Sequence, residues 1–251
     1  MSSRRGPTQV AVCYSGWLAV RIPKRGASAR RYLVDVLGAD VFVAGTFLAS
    51  DACASQHAGA DLRSACLLRR LHSLRPYTRT RIDPMLSVDD LRGLVTRSPN
   101  WPRVSAEFRP ERAFGGISVW APLLGNGNLS VLRELHDYSR VVQLVVQHET
   151  IVGRRYDRVC FSRLEYLWLA PHPPLELLWS GAVWLPSGGT SGGVNDRHAL
   201  MDRAAADVYF RRWDLLFAPD LMERLPARIV LHAGPEEVCC SSSPFRTPFL
   251  S

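Results

Sequence analysis

A buried strand, a helix stopped at a glycine and a second buried strand follow one another between Thr8 and Phe47. This order restricts the topology more than any other stretch of the chain. Thr8 to Tyr14 is an apolar run bounded by Pro7 and by Ser15-Gly16, as expected of a core strand. Ala27 to Leu37 carries Leu33, Val36 and Leu37 at helical spacing and stops at Gly38, a good helix terminator. Ala39 to Phe47 is a second strand-like run. Strand, helix and strand with short connections make a parallel crossover, which is right-handed almost without exception. The chain therefore opens as an α/β fold.

The same grammar recurs later. Leu129 to Arg154 is predicted as the main helix, with Val141, Val142, Leu144, Val145, Val146 and Val152 covering much of its surface. Gly153 and the Arg154-Arg155 pair close it, and the basic pair suits the negative end of the helix dipole. His148 on this helix reads as a partly buried structural group. Tyr156 to Leu169 follows, with Val159, Cys160 and Phe161 just ahead of Arg163 and Glu165. An apolar strand that ends in charge marks the carboxyl edge of an open α/β sheet, where ligands bind.

Other segments are plainer. Asp51 to Ser73 is helical in its second half, and Arg75 to Ile82 is a short extended segment. Ser87 caps a helix with Asp90 three residues on, in a capping-box position. Between Ser98 and Gly127 four prolines (Pro99, Pro102, Pro110, Pro122) and Gly115, Gly116, Gly125 and Gly127 define an irregular segment, either a binding loop or simply unstructured. Glu176 to Leu178 is a helical turn, Ala182 to Leu185 a brief strand, and Arg228 to His232 a last one. Residues 1–7 are a leader, 8–235 the folded domain and 236–251 a loosely ordered tail.

Two loops carry binding-capable groups. Tyr14-Ser15-Gly16-Trp17 puts small residues in a turn at the end of the first strand, where a ligand can approach backbone. Ser187 to Val194 is rich in glycine and leads into Asn195, Asp196, Arg197 and His198. A helix over Ala199 to Tyr209 would make Asn195 or Asp196 either a ligand contact or only its cap, and Tyr209 to Arg224 continues as helix. There is no dinucleotide fingerprint, phosphate-binding P-loop or zincin motif. Gly189 to Gly193 matches G-x-S-x-G, but Ser191 sits mid-loop rather than on a strand-to-helix elbow.

Composition narrows the partners. The net charge is +8, and of the 31 basic residues only Lys24 is lysine. Arginine forks suit phosphate and carboxylate, although a GC-rich genome gives the same bias. The arginines never run longer than two, so a basic arm for nucleic acid is not expected. Six cysteines show no paired-knuckle spacing, which argues against a structural zinc site. No apolar run reaches the ~18 residues of a membrane span. Arg4 and Arg5 before Val10 to Val20 mimic a signal peptide, but Tyr14-Ser15-Gly16 interrupts it. The compartment, cytoplasm or secretory lumen, stays open.

Four features fall in order: Val12-Cys13-Tyr14-Ser15-Gly16, Ala39-Asp40-Val41-Phe42-Val43, Tyr156-Asp157-Arg158-Val159 into Ser162-Arg163-Leu164-Glu165, and Gly193-Val194-Asn195-Asp196-Arg197. This order resembles a largely uncharacterised family of GT-A-type glycosyltransferases of algae, plants, fungi and large viruses, over roughly Val10 to Trp213. The resemblance implies a single GT-A-like domain with a mostly parallel, Rossmann-like central sheet flanked by helices. It implies transfer of a sugar from a nucleotide-sugar donor to a hydroxyl of a carbohydrate or glycoprotein acceptor. The catalytic residue would be Asp196, contacting the acceptor hydroxyl or, in an inverting enzyme, acting as the base that deprotonates it. Ser15, Gly16, Asp40, Arg163, Asn195, Arg197 and His198 would bind the donor, and Glu165 would hold Mn²⁺ or Mg²⁺. Glu165 stands where the family has Asp, and one acid is missing relative to a D-x-D pair. A non-catalytic nucleotide- or sugar-binding protein is the alternative.

Overall fold

The strands form where the sequence is apolar on both faces. In the computed structural model, which describes residues 8–18, 22–48, 50, 60–103, 129–188 and 195–221, β1 (Val10–Trp17) is buried over its first six residues. β2 (Asp40–Phe47) is buried from Val41 onward. Such two-sided burial belongs to parallel strands covered by helices. β1 pairs in parallel with β2 (Ala11 beside Asp40) and with β4 (Arg158–Arg163; Val10 beside Arg158). β2 pairs in parallel with β3 (Arg79–Pro84). β5 (His198–Asp202) runs antiparallel on the outer edge of β4. The order is β3-β2-β1-β4-β5, a mostly parallel, Rossmann-like α/β sheet.

Helices cover both faces. α1 (Ile22–Ala29) continues through a π-helical segment (Arg30–Val34) and a last α-turn (Asp35–Leu37). Gly38 ends it at φ 57°, the left-handed conformation that glycine takes without steric cost. Together with α2 (Ala60–Arg70) it packs on Val12, Tyr14, Val41, Val43, Cys160 and Leu200. α3 (Val88–Val95) starts with the reciprocal Ser87–Asp90 capping box that the sequence predicts. α4 (Ser130–Val152) lies on the other face against β1, β2 and β3, over Ala11, Cys13, Phe42, Val159 and Phe161. α5 (Arg203–Phe210) and α6 (Arg212–Leu215) complete that layer.

Several sequence expectations are corrected. β1 does not turn at Ser15-Gly16 but runs on to Trp17. Residues 198–202 form β5 rather than the first turn of a helix, because pairing with β4 buries Ala199, Leu200 and Met201 completely. The cap of α5 is Asp202, whose side chain accepts from Ala205 N–H, so neither Asn195 nor Asp196 is a cap. Residues 182–185 contribute a single bridge, Trp184 to Leu200. Cys66 is disulfide-bonded, whereas Cys13 and Cys160 are free and buried. The leader, the tail, most of the 98–127 segment, Ser191 and the 228–232 strand lie outside the described residues. Among the described residues no helix is long and apolar enough to cross a membrane.

Candidate functional site

From β1 the chain builds outward to β2 and β3, then returns to the other side of β1 as β4. The crevice outside the carboxyl ends of β1 and β4 is thus the topological switch point, the usual ligand position in open α/β sheets. Side chains alternate along β4. Cys160 belongs to the core under α1, Phe161 to that under α4, and Arg163 reaches Glu134 on α4.

Arg163 is held tightly. Its Nε donates to Glu134 Oε1 at 3.0 Å, and its Nη2 donates to both carboxylate oxygens of Glu134. Asp196 Oδ1 lies 3.6 Å from the same guanidinium. Tyr138 donates its hydroxyl to Glu134 and, at 3.4 Å, to the Asp196 carbonyl; Tyr209 reaches that carbonyl at 3.5 Å. Burial pushes the Glu134 carboxyl above its ordinary value, against the Tyr138 hydrogen bond and the Arg163 charge, and Asp196 adds to the rise. Two carboxylates in unlike settings thus share one arginine: Glu134 is mostly enclosed, and Asp196 keeps 35% of its side chain in solvent.

A cleft of about 350 Å³ adjoins the same half of α4, outside the ends of β2 and β3. Its floor is Arg140, buried, which bridges Asp83 and Asp137 and donates to the Gly45 carbonyl at 3.3 Å. Arg81, Arg133 and His136 add to its lining, so its three arginines outnumber the two acids. A second cleft of about 410 Å³ lies at the opposite edge around Arg154, Arg155 and Arg211.

The residues expected at the site divide into three groups. Asp196, Arg163, Arg197 and Glu165 gather at the carboxyl edge. Glu165 is exposed and leans over Gly16, its Oε2 3.0 Å from where a Cβ on that residue would stand. Arg197 is exposed, its N–H turned to Asn195 Oδ1 at 3.2 Å. Ser15 and Asn195 are buried and serve the scaffold. The Ser15 carbonyl accepts from Leu164 N–H at 3.1 Å, and Asn195 Nδ2 donates to the Gly188 carbonyl at 3.0 Å. Asp40 and His198 are elsewhere. Asp40 opens β2, about seven residues and some 20 Å from the ligand edge, where it accepts from the Tyr156 hydroxyl at 2.6 Å and from Thr78. His198 is buried on the α1 side, its ring 4.9 Å from that of Trp168 and 5.5 Å from that of His172.

Among the described residues Glu165 joins no group of three metal-ligating side chains, and Mg²⁺ or Mn²⁺ prefers several oxygens. What sequence reading missed is the contribution of α4. Glu134 and Tyr138, like Asp137 and Arg140, stand at spacings that share a helix face, but only the packing of α4 turns those faces toward the sheet edge. No family model and no curated protein matches this chain.

Proposed function

We propose that the chain is a nucleotide-sugar-dependent glycosyltransferase in which Asp196 deprotonates the acceptor hydroxyl. The observation that carries this reading is a half-exposed carboxylate fixed at the switch point by an arginine that Glu134 already holds. In an inverting transfer the acceptor oxygen attacks the anomeric carbon as its proton passes to Asp196. The bond from that carbon to the leaving oxygen breaks, and the nucleoside diphosphate departs with the electron pair. Arg163, committed to Glu134, orients Asp196 rather than binding phosphate. Arg197 and the cationic cleft over β2 and β3 are the groups that take the donor diphosphate. The geometry gives no reason to route a step through a metal at Glu165.

In this reading Asp196→Asn lowers turnover ~10²–10⁴-fold with little change in donor affinity. Near-wild-type turnover would remove Asp196 from the mechanism. The donor is found by thermal shift with UDP, GDP and CMP, with and without Mn²⁺, since a ligand of the folded state raises stability by mass action. The lone acid at Glu165 favours one competitor, a binding protein without turnover. A nucleotide-induced shift with no sugar release from any donor would establish that instead.

A further inference from the structure

Away from the carboxyl-edge site, three side chains that bind borderline metals converge in the core under α1. We propose that Cys160, His172 and His198 form a site for a zinc-like divalent cation. Their donor atoms all lie within 4.8 Å of one another, and all three residues are buried. The proposal is independent of the glycosyltransferase reading.

The fold assembles this trio from distant parts of the chain. His198 opposes Ser162 in the antiparallel β4–β5 pair, so it shares a sheet face with Cys160 and lies diagonally from it. Its Nδ1 is 3.8 Å from Cys160 Sγ. His172 comes from the proline-rich segment after β4 and is tied down by its own N–H, which donates to the Tyr32 carbonyl at 2.7 Å. Its Nδ1–H donates to the Pro173 carbonyl at 2.7 Å. That bond fixes the tautomer and leaves the Nε2 lone pair free, the arrangement that orients metal-binding histidines.

The donor set selects the ion. One sulfur and two imidazoles suit Zn²⁺ and not Mg²⁺ or Mn²⁺. With Zn–S near 2.3 Å and Zn–N near 2.0 Å, tetrahedral donors stand about 3.3–3.7 Å apart, so small side-chain rotations close the trio. The Tyr14 hydroxyl, in the same core cluster as Cys160, is buried with no hydrogen-bond partner among the described residues. Cysteine spacing gave no hint of this site because two of its three ligands are histidines brought in by β5 and the proline segment.

The full chain, stripped with chelator and titrated with Zn²⁺ or Co²⁺, tests the proposal. One equivalent binds, Co²⁺ produces a thiolate charge-transfer band, and Zn²⁺ at a hundredfold excess over Kd raises Tm by roughly 5–10 °C. Cys160→Ser removes the band, whereas His172→Gln keeps it and weakens affinity at least ~10-fold. Both variants are first checked for wild-type circular dichroism. The proposal fails if wild-type protein binds neither ion. It also fails if the band and stoichiometry survive Cys160→Ser, which would assign them to another cysteine.

Discussion

Glu149→Gln tests the electrostatic core of this fold directly. Glu149 near the end of α4 receives a two-point contact from Arg203 on α5, Nε to Oε1 at 2.8 Å and Nη2 to Oε2 at 2.9 Å. It also accepts from Tyr156 N–H at 3.0 Å. Both side chains are over nine-tenths buried. Removing one partner from such a pair costs about 3–5 kcal/mol, because the other charge stays buried. Here Asp207 still holds Arg203 at 2.6 Å and glutamine keeps one acceptor, so about 3 kcal/mol is expected. For a chain of this size that lowers Tm by roughly 6–12 °C. Urea denaturation at neutral pH measures it as a fall in midpoint without a change in slope.

The pH dependence carries a sign. Burial pushes the Glu149 carboxyl up, but the Arg203 hydrogen bonds, Tyr156 N–H and the charges of Arg203 and Arg155 outweigh it, so the folded value lies below the ordinary 4.5. Its stabilisation is therefore complete above 4.5 and is lost as pH falls through the folded value. The gap between wild type and Glu149→Gln must close over that interval. Equal midpoints at neutral pH, or a gap that persists in acid, would refute the reasoning.

At the carboxyl edge, Arg163→Met leaves Glu134 and Asp196 adjacent without their shared cation. It should cost about 1–2 kcal/mol near pH 8 and less as pH falls, because the Glu134 carboxyl, already raised by burial, takes a proton more readily once the guanidinium is gone, as paired urea titrations would show. Gly16→Ala places a Cβ 3.0 Å from Glu165 Oε2 at φ 136°. Denaturation should register a loss of about 1–3 kcal/mol from backbone strain, and wild-type stability would mean that residue 16 is not held at positive φ.

The sequence by itself determined the elements whose signal is local. Thr8–Tyr14, the Gly38 stop, Ser87 with Asp90, and the long valine-rich helix each announce themselves through apolar period or capping chemistry within a few residues. The one serious misreading, 199–202 as helix, came where a short apolar run fits either period, and pairing with β4 decided it. The site was legible only in part. Arg163, Asp196 and Glu165 were visible as charge after apolar runs, but nothing local shows that Arg163 is already taken by Glu134, a helix residue 29 positions earlier. Asp40 came to the site only through the resemblance, although a strand over Ala39 to Phe47 already puts it at the amino end. The Cys160, His172 and His198 trio was invisible because its members come from separate elements that only pairing and packing bring together. Chain order encodes hydrophobic and capping preferences, whereas the meeting of polar side chains across a sheet depends on register, crossover and helix packing, which only the folded chain possesses.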